Sequence, residues 1–263
     1  MKYTYIDIHS HLNLSPLYER REEIVVLLRE KNVATITIGT DLATSQKAVD
    51  LAHEYPDVLF ACVGLHPADN AEEIFDMDVY EALARDGKVV AIGECGLDYF
   101  RDQSEENKTR QNEIFLQHIA LAQKVQKPLM IHARPSKGTM DAYEDVLTIL
   151  ESTEDYPRVN FHFFVGDIPI AKRILSIGGT MSFDGPITFS HDYDEVIAFL
   201  PIESIMAETD APFAAPAPYR GKTCEPWMVE EIIARIAEIK QLPREDVVRI
   251  LTANALRVFA LTE

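Results

Sequence analysis

The sequence has few cysteines and little positive charge for its length. Its 263 residues include Cys62, Cys95 and Cys224, and no two of them have the Cys-x-x-Cys spacing. This argues against a disulfide framework or a zinc knuckle, and a reducing cytoplasm is the expected location. The 25 Lys and Arg residues face 43 Asp and Glu residues, for a formal net charge of −18. That charge argues against broad, salt-dependent adhesion to nucleic acid or to an anionic membrane.

Long apolar runs are also missing. No stretch approaches the ~18 consecutive apolar residues of a membrane span, and the first residues lack the apolar segment of a signal peptide. With 11 glycines and 14 prolines, the chain is neither collagen-like nor of low complexity. A chain of this size can bury about three quarters of its unfolded surface. We therefore expect one folded domain over residues 1–263, with no sign of a membrane anchor or an obligate protein partner.

Short β-rich runs alternate with helix-length segments from end to end. Strands are predicted at 3–9, 34–40, 59–65, 89–94, 129–132, 159–163, 180–183 and 204–208. Eight strand–helix repeats in about 250 residues predict a parallel (β/α)8 TIM barrel, with an extra C-terminal helix after Pro243. The alternative is an open doubly wound sheet. No G-x-G-x-x-G or P-loop motif follows any strand, which weakens that alternative as a nucleotide-binding fold.

Polar side chains lie at the ends of the predicted strands. They are His9 and His11 at the end of the first strand, His66 at the end of the third, Glu94 at the end of the fourth, His132 at the end of the fifth, His162 at the end of the sixth and Asp210 just after the eighth. The carboxyl ends of barrel strands surround one axis and form the active sites of this fold. These side chains are therefore expected to meet. His118 lies on an apolar helical stripe instead and is expected to be structural.

A buried cluster of imidazoles and carboxylates is unfavourable unless a cation neutralises it. Imidazole with carboxylate suits zinc, manganese or iron, and carboxylate with water suits magnesium. Six donors exceed what one tetrahedral ion accepts and are enough for two, so two divalent ions (Mg²⁺, Mn²⁺ or Zn²⁺) are expected. Glu94 could bridge them with one oxygen on each. His66 could alternatively cap the turn in Gly64-Leu65-His66-Pro67.

The ordered set of motifs resembles the TatD family of metal-dependent hydrolases, among the amidohydrolase-like barrels. The motifs are Asp7-x-His9-x-His11, Gly64-x-His66-Pro67, Gly93-Glu94-Cys95-Gly96-Leu97-Asp98-Tyr99, Ile131-His132-x-Arg134, His162-Phe163-Phe164, Glu208-Thr209-Asp210-Ala211-Pro212 and Tyr219-Arg220-Gly221-Lys222. The ligand set that the resemblance implies is His9, His11 and Asp210 for one ion, His132 and His162 for the second, and Glu94 as the bridge. The resemblance covers the whole chain and implies a magnesium- or manganese-dependent deoxyribonuclease, in some members a 3′-exonuclease.

The resulting hypothesis is hydrolysis of a phosphoester, with DNA ends or a small phosphoester as the substrate. We expect single-stranded ends to be better substrates than duplex ends, because a single strand can reach a recessed site. Asp210 and Glu94 are the expected catalytic residues, with Asp210 accepting or holding the proton of the attacking water. The candidates for holding phosphate oxygens are His66, Arg134 and Arg220. Asp98 is expected to orient a ligand histidine from behind, and Asp7 to do the same.

The chain departs from the family pattern in the substrate region. After His162, many relatives carry Cys-Phe-Ser/Thr-Gly-Ser, whereas Val165 here removes a hydroxyl and Asp167 adds an acid. Cys224 replaces an asparagine, and the segment 135–142 looks longer than usual. These departures favour an alternative, a two-metal hydrolase of a small ester, lactone or amide. A third reading is a metal-stabilised scaffold or partner-binding protein without catalysis.

Overall fold

The computed structural model describes residues 2–70 and 72–261. Eight parallel strands pair in chain order. They are β1 (Tyr5–Ser10), β2 (Val33–Ile38), β3 (Leu59–Val63), β4 (Val89–Asp98), β5 (Leu129–Arg134), β6 (Val159–Phe161), β7 (Thr180–Phe183) and β8 (Ile205–Ala207). The order and direction of the strands confirm the predicted TIM barrel and exclude the doubly wound sheet, whose strand order reverses at a switch point.

The barrel closes between the end of β1 and the residues just beyond β8. Ser10 pairs with Ala211 in a parallel bridge. The backbone N–H of His11 donates to the carbonyl of Ala211 at 2.7 Å, and the N–H of Asp210 donates to the carbonyl of His9 at 2.9 Å. We call this junction the seam. It sets two histidines from the start of the chain beside an aspartate some two hundred residues later.

Nine α-helices cover the barrel within the described residues. They are α1 (Arg21–Lys31), α2 (Leu42–Glu54), α3 (Met77–Ala84), α4 (Glu105–Val125), α5 (Asp141–Ser152), α6 (Ile168–Ser176), α7 (Asp194–Phe199), α8 (Val229–Lys240) and α9 (Arg244–Phe259). Several begin at the side-chain caps that the sequence offers. The carboxylate of Asp41 accepts from the N–H of Thr44 in a capping box, and the hydroxyl of Ser104 accepts from the N–H of Asn107.

The extra helix α9 is present as predicted and closes the amino end of the barrel. Thr252 donates its hydroxyl to the carbonyl of Thr4 at 2.9 Å, and Asn254 donates its amide to the carbonyl of Ile205 at 2.9 Å. Val258 and Phe259 join the apolar cluster that fills the barrel interior. No described helix is long and apolar enough to cross a membrane. The cytoplasmic location stays a prediction.

Strand lengths differ from prediction at the carboxyl end of the barrel. β4 runs on to Asp98, four residues past its predicted end, and β5 runs on to Arg134. These extensions pair with each other, since Asp98 lies opposite Arg134 in the register. β2, β3 and β6 end two residues before their predicted ends, and β8 ends one residue early.

Candidate metal centre

Two histidines and an aspartate meet across the seam in the first donor group, which consists of His9, His11 and Asp210. The Nε2 atoms of the two histidines lie 3.3 Å apart. Each lies near Oδ1 of Asp210, at 3.5 Å from His9 and 3.4 Å from His11. All three donors lie within 4.8 Å of one another and face the same point. The alternation of side chains along β1 places the two rings on one face.

The second donor group consists of Glu94 on β4, His132 on β5 and His162 just after β6, which are three consecutive strands. Nδ1 of His132 and Nε2 of His162 lie 3.3 Å apart. Oε1 of Glu94 lies 2.9 Å from the first and 2.8 Å from the second. Oε2 of Glu94 turns the other way and lies 3.4 Å from Nε2 of His9. The two oxygens of one carboxylate therefore face the two donor groups.

The donor set fits divalent cations. In each group two imidazole nitrogens point at one another at 3.3 Å, and both also face a carboxylate oxygen. Nitrogen and oxygen donors converging in this way are the usual environment of Zn²⁺, Mn²⁺ or Fe²⁺. Without a cation, the buried nitrogens and carboxylates would be left with poor hydrogen-bond geometry, which is costly in a protein interior.

The backbone before Glu94 explains how its side chain reaches the centre. Gly93 has φ +147°, and an added Cβ would clash with the carbonyl of Met130 on the neighbouring strand. The register between β4 and β5 shifts between Ile92 and Cys95. Only glycine accepts both the conformation and the close approach. The irregularity turns Glu94 towards the barrel axis.

The surroundings of Glu94 keep it ionised. Burial alone would raise the pKa of this carboxyl, but the imidazoles of His162, His66 and His9 outweigh that effect and hold the pKa well below its ordinary value. An ionised carboxylate with both oxygens facing nitrogen donors is the form that can bind cations on two sides.

Two carboxylates stand behind the histidines of the second donor group. Oδ2 of Asp98 lies 3.0 Å from Nε2 of His132, as the sequence predicted. Oε1 of Glu208 lies 3.3 Å from Nδ1 of His162. Such partners fix the tautomer and orientation of a ligand histidine. Glu208 was missed as a site residue, although it stands two positions before Asp210 in the same motif.

Glu208 is itself held firmly. It is fully buried, and it accepts hydrogen bonds from the backbone N–H of Phe163 and the hydroxyl of Ser182, both at 2.6 Å. With His9 and His162 it forms a further group of donors within 4.8 Å. Its hydrogen bonds to two neighbouring strand ends leave the carboxylate little freedom and hold it within ion-pair distance of the ring of His162.

Asp7 does not orient a ring as predicted. Its oxygens accept from the N–H and hydroxyl of Thr209, at 2.8 and 2.9 Å, and from the hydroxyl of Thr35 at 3.1 Å. Among the described residues, none of its hydrogen bonds reaches a histidine ring nitrogen. Asp7 precedes His9 by two residues on β1 and therefore lies deeper in the barrel than the histidine rings. From there its hydrogen bonds to Thr209 stabilise the backbone next to Asp210 across the seam.

Asp210 is held in an unusual backbone conformation. Its φ of +52° lies in the left-handed region, which non-glycine residues rarely adopt. Its N–H donates to the carbonyl of His9, and its carbonyl accepts from the N–H of Phe213 at 2.9 Å. Strain of this kind persists where surrounding bonds over-determine it, as is common at functional sites. The result is a carboxylate aimed at two imidazoles.

His66 faces the centre from the turn after β3. Its Nδ1 accepts from the N–H groups of Ala68 and Asp69 at 3.2 and 3.1 Å, so the expected turn cap is present. A carboxylate oxygen of Asp69 also lies 3.2 Å from Nδ1, but two N–H groups aimed at this nitrogen make it an acceptor. The proton then sits on Nε2, 3.6 Å from Glu94. His66 therefore presents a donor to the cavity.

His118 is structural, as predicted. Its Nδ1 donates to the carbonyl of Ile114 at 2.8 Å, and its Nε2 accepts from the N–H of Leu65 at 2.9 Å. Burial lowers the pKa of this histidine to about 4, so the ring is neutral at pH 7. The ring ties α4 to the turn that carries His66.

A cavity of about 470 Å³ opens above the two donor groups. The residues lining it outside the donor groups include Leu14, His66, Arg101, Arg134, Val165 and Phe213. The sequence did not single out Arg101 or Phe213, because loop residues carry no periodic pattern. Arg220 is not among the lining residues. Its guanidinium lies 3.9 Å above the ring of Phe189 instead.

The departures from the family pattern have different outcomes. Val165 lines the cavity. Asp167 does not, since its carboxylate caps α6 by accepting from the N–H of Ile170 at 2.9 Å. Cys224 is buried, with its sulfur 3.8 Å from the carbonyl of Thr209. The acid that departs from the family pattern at Asp167 therefore caps a helix and does not face the cavity.

A TIM barrel with clustered histidines and carboxylates at its carboxyl end defines a metal-dependent hydrolase, and similarity to known proteins agrees. A family described as TatD related DNase matches residues 6–260. The chain is 37% identical to the uncharacterized metal-dependent hydrolase YabD of Bacillus subtilis, covering 97% of this chain and 98% of the relative. It is 32% identical to YcfH of Escherichia coli, a protein of the same description, covering 97% and 95% of the two chains.

Solved structures show the same similarity. The crystal structure of YJJV, a TatD homologue from Escherichia coli, superposes with a TM-score of 0.86 at 25% identity over the full length of both chains. A TatD family hydrolase from Entamoeba histolytica has the same fold, with a TM-score of 0.83 at 22% identity over both full chains. This chain belongs to the TatD family.

Proposed function

We propose that this chain is a two-metal phosphodiesterase that removes nucleotides from the ends of single-stranded DNA. The observation that carries the proposal is the carboxylate of Glu94, whose two oxygens face two separate donor groups beneath one open cavity. Two cations that share one carboxylate would stabilise the attacking and the leaving oxygen of an in-line displacement at phosphorus. The family resemblance supplies the 3′-exonuclease polarity.

The proposed ligands follow the two donor groups. His9, His11 and Asp210 would hold one ion, His132 and His162 would hold the other, and Glu94 would contribute a carboxylate oxygen to each. Divalent ions bound there would lower the pKa of an attacking water and stabilise negative charge on phosphate oxygens. Asp98 and Glu208 keep the rings of His132 and His162 in the tautomer that presents a free nitrogen to the centre.

Asp210 is the proposed proton acceptor. Its side chain is 13% exposed, against 5% for Glu94, so it borders the cavity where the attacking water must stand. A carboxylate placed there takes the proton from the water as the oxygen attacks phosphorus. Glu94 is more deeply buried than Asp210, and its proposed role is to position the two ions.

Two side chains are proposed to hold non-bridging phosphate oxygens. His66 offers its Nε2–H from below, and Arg134 offers a planar guanidinium from the end of β5. Among residues 2–70 and 72–261, neither Arg134 nor Arg101 forms an ion pair, although the chain carries an excess of acids. Unpaired cations at the mouth of an acidic protein favour an anionic substrate over a neutral ester.

The test is release of nucleotides from end-labelled single-stranded DNA with added Mg²⁺, Mn²⁺ or Zn²⁺. Glu94→Gln, purified in parallel, controls for contaminating nucleases and is expected to lose both bound metal and activity. Labels at the 5′ and 3′ ends report the polarity. If protein shown to carry metal releases nothing from DNA but hydrolyses a small ester, lactone or amide, the phosphodiesterase proposal is wrong.

A further inference from the structure

The cavity has two unlike sides. In a closed barrel whose eight strands pair in chain order, β4 and β5 lie across the mouth from β8 and β1. Arg101 and Arg134 line the cavity from the β4 and β5 side, and Leu14 and Phe213 line it from the β1 and β8 side. One side therefore carries two arginines, together with Asp98, whose carboxylate is paired with His132. It faces an apolar side, with the donor groups between them.

Phe213 differs from the other exposed phenylalanines. The structure exposes four of them among the described residues, and Phe213 is the most exposed at 54%. A cation lies over the rings of the other three: Arg134 over Phe100 at 4.0 Å, Arg220 over Phe189 at 3.9 Å and Lys172 over Phe199 at 5.6 Å. No such cation covers Phe213 within the described chain, so its ring remains open to the cavity it lines.

The ring of Phe213 is held in place next to the first donor group. Its centroid lies 6.1 Å from that of His11, with the planes at 68°. Its backbone N–H is bonded to the carbonyl of Asp210. One residue further, the carbonyl of Ala214 packs so closely on Gly185 that a Cβ there would clash with it. The loop is thus fixed at both ends, and the exposed ring is preorganised.

We propose that Phe213 is the stacking platform for the terminal base of the substrate, and that Arg101 across the mouth holds the phosphate that follows the scissile one. This inference rests on the proposed function and adds to it the residues that select the substrate. Base stacking on an exposed aromatic ring is tolerant of sequence, because every base has a flat π face. The terminal base then contributes to recognition whatever its identity.

The test compares two oligonucleotides that differ only in the residue released, thymidine or an abasic tetrahydrofuran. Loss of one stacked base costs about 5- to 150-fold in binding, so the unaltered protein should show a kcat/KM lower by that factor on the abasic end. Phe213→Ala should lower kcat/KM on the thymidine end to the same level and cause no further loss on the abasic end. Phe213→Tyr should restore the preference.

Controls separate stacking from damage to the fold. Phe199→Ala removes an equally large exposed ring from α7 and should leave both substrates unaffected. Metal content and thermal unfolding should be unchanged in Phe213→Ala. Arg101→Gln should lower kcat/KM by a larger factor on a trinucleotide than on a dinucleotide, because only the trinucleotide has a second phosphate.

The outcomes are distinguishable. If the unaltered protein cleaves thymidine and abasic ends equally well, or if Phe213→Ala slows both equally, the stacking inference is overturned and the proposed function stands. If the metal-loaded protein cleaves no oligonucleotide at all, the proposed function is overturned and the inference falls with it.

Discussion

The buried ring of His118 makes the stability of this protein depend on pH in a defined direction. The folded protein holds the ring neutral, with a pKa of about 4, between the carbonyl of Ile114 and the N–H of Leu65. In the unfolded chain the pKa returns to its ordinary value of about 6.5. Below that value the unfolded chain binds a proton that the folded protein does not, so stability falls as the pH falls from 6.5 towards 4.

The magnitude follows from the difference between the two pKa values. A difference of about 2.5 units corresponds to about 3 kcal/mol when the titration is complete. Between pH 8 and pH 5 the expected loss from this one group is about 2 kcal/mol. Above pH 7.5 the contribution is flat, because the ring is neutral in both states.

The measurement is urea denaturation of the unaltered protein and His118→Gln at pH 8 and pH 5, with a chelator present so that metal release does not contribute. Glutamine cannot titrate, and all other groups are common to both proteins. The stability of the unaltered protein should therefore fall by about 2 kcal/mol more than that of the variant. Equal losses in the two proteins would refute the assignment of a neutral, buried His118.

Two further predictions concern carboxylates. Glu208→Gln should weaken binding of Zn²⁺ or Mn²⁺ by about 10- to 100-fold in calorimetry, because the ring of His162 loses its orienting anion. Glu203→Gln is the matched control, and equal affinity in the two variants would contradict the role. Asp167→Ala should cost about 1 kcal/mol of unfolding free energy through the lost helix cap and leave oligonucleotide hydrolysis unchanged. Faster hydrolysis would show that Asp167 repels the substrate after all.

The convergence of the candidate ligands was predictable because one geometric rule covers them all. His9 and His132 lie near the carboxyl ends of β1 and β5, His162 directly follows β6, and the strand ends of a barrel surround one axis. Knowledge of which strand carries each histidine was enough to predict that they meet. The depth of a side chain in the barrel was harder to predict. Asp7 points to the same face of β1 as His9, yet it lies too deep to reach a histidine ring.

The residues around the mouth could not be predicted in the same way. Arg101 and Phe213 lie in loops, whose paths depend on contacts between distant segments such as Gly185 and Ala214. No period in the sequence reports those contacts. Arg220 is the converse case, since it was predicted from a family motif to hold phosphate oxygens, and in this structure it lies over Phe189 and is not among the residues that line the cavity.

The seam has a consequence for how the protein folds. The first donor group joins β1 to the residues after β8, and these are far apart along the chain. The second donor group comes from three consecutive strand ends and needs only half of the barrel. A cation bound by His9, His11 and Asp210, as proposed, would stabilise closure of the barrel, because it could bind only after the two ends of the sheet have met. Loss of that cation should loosen the first and last strands before the rest of the barrel.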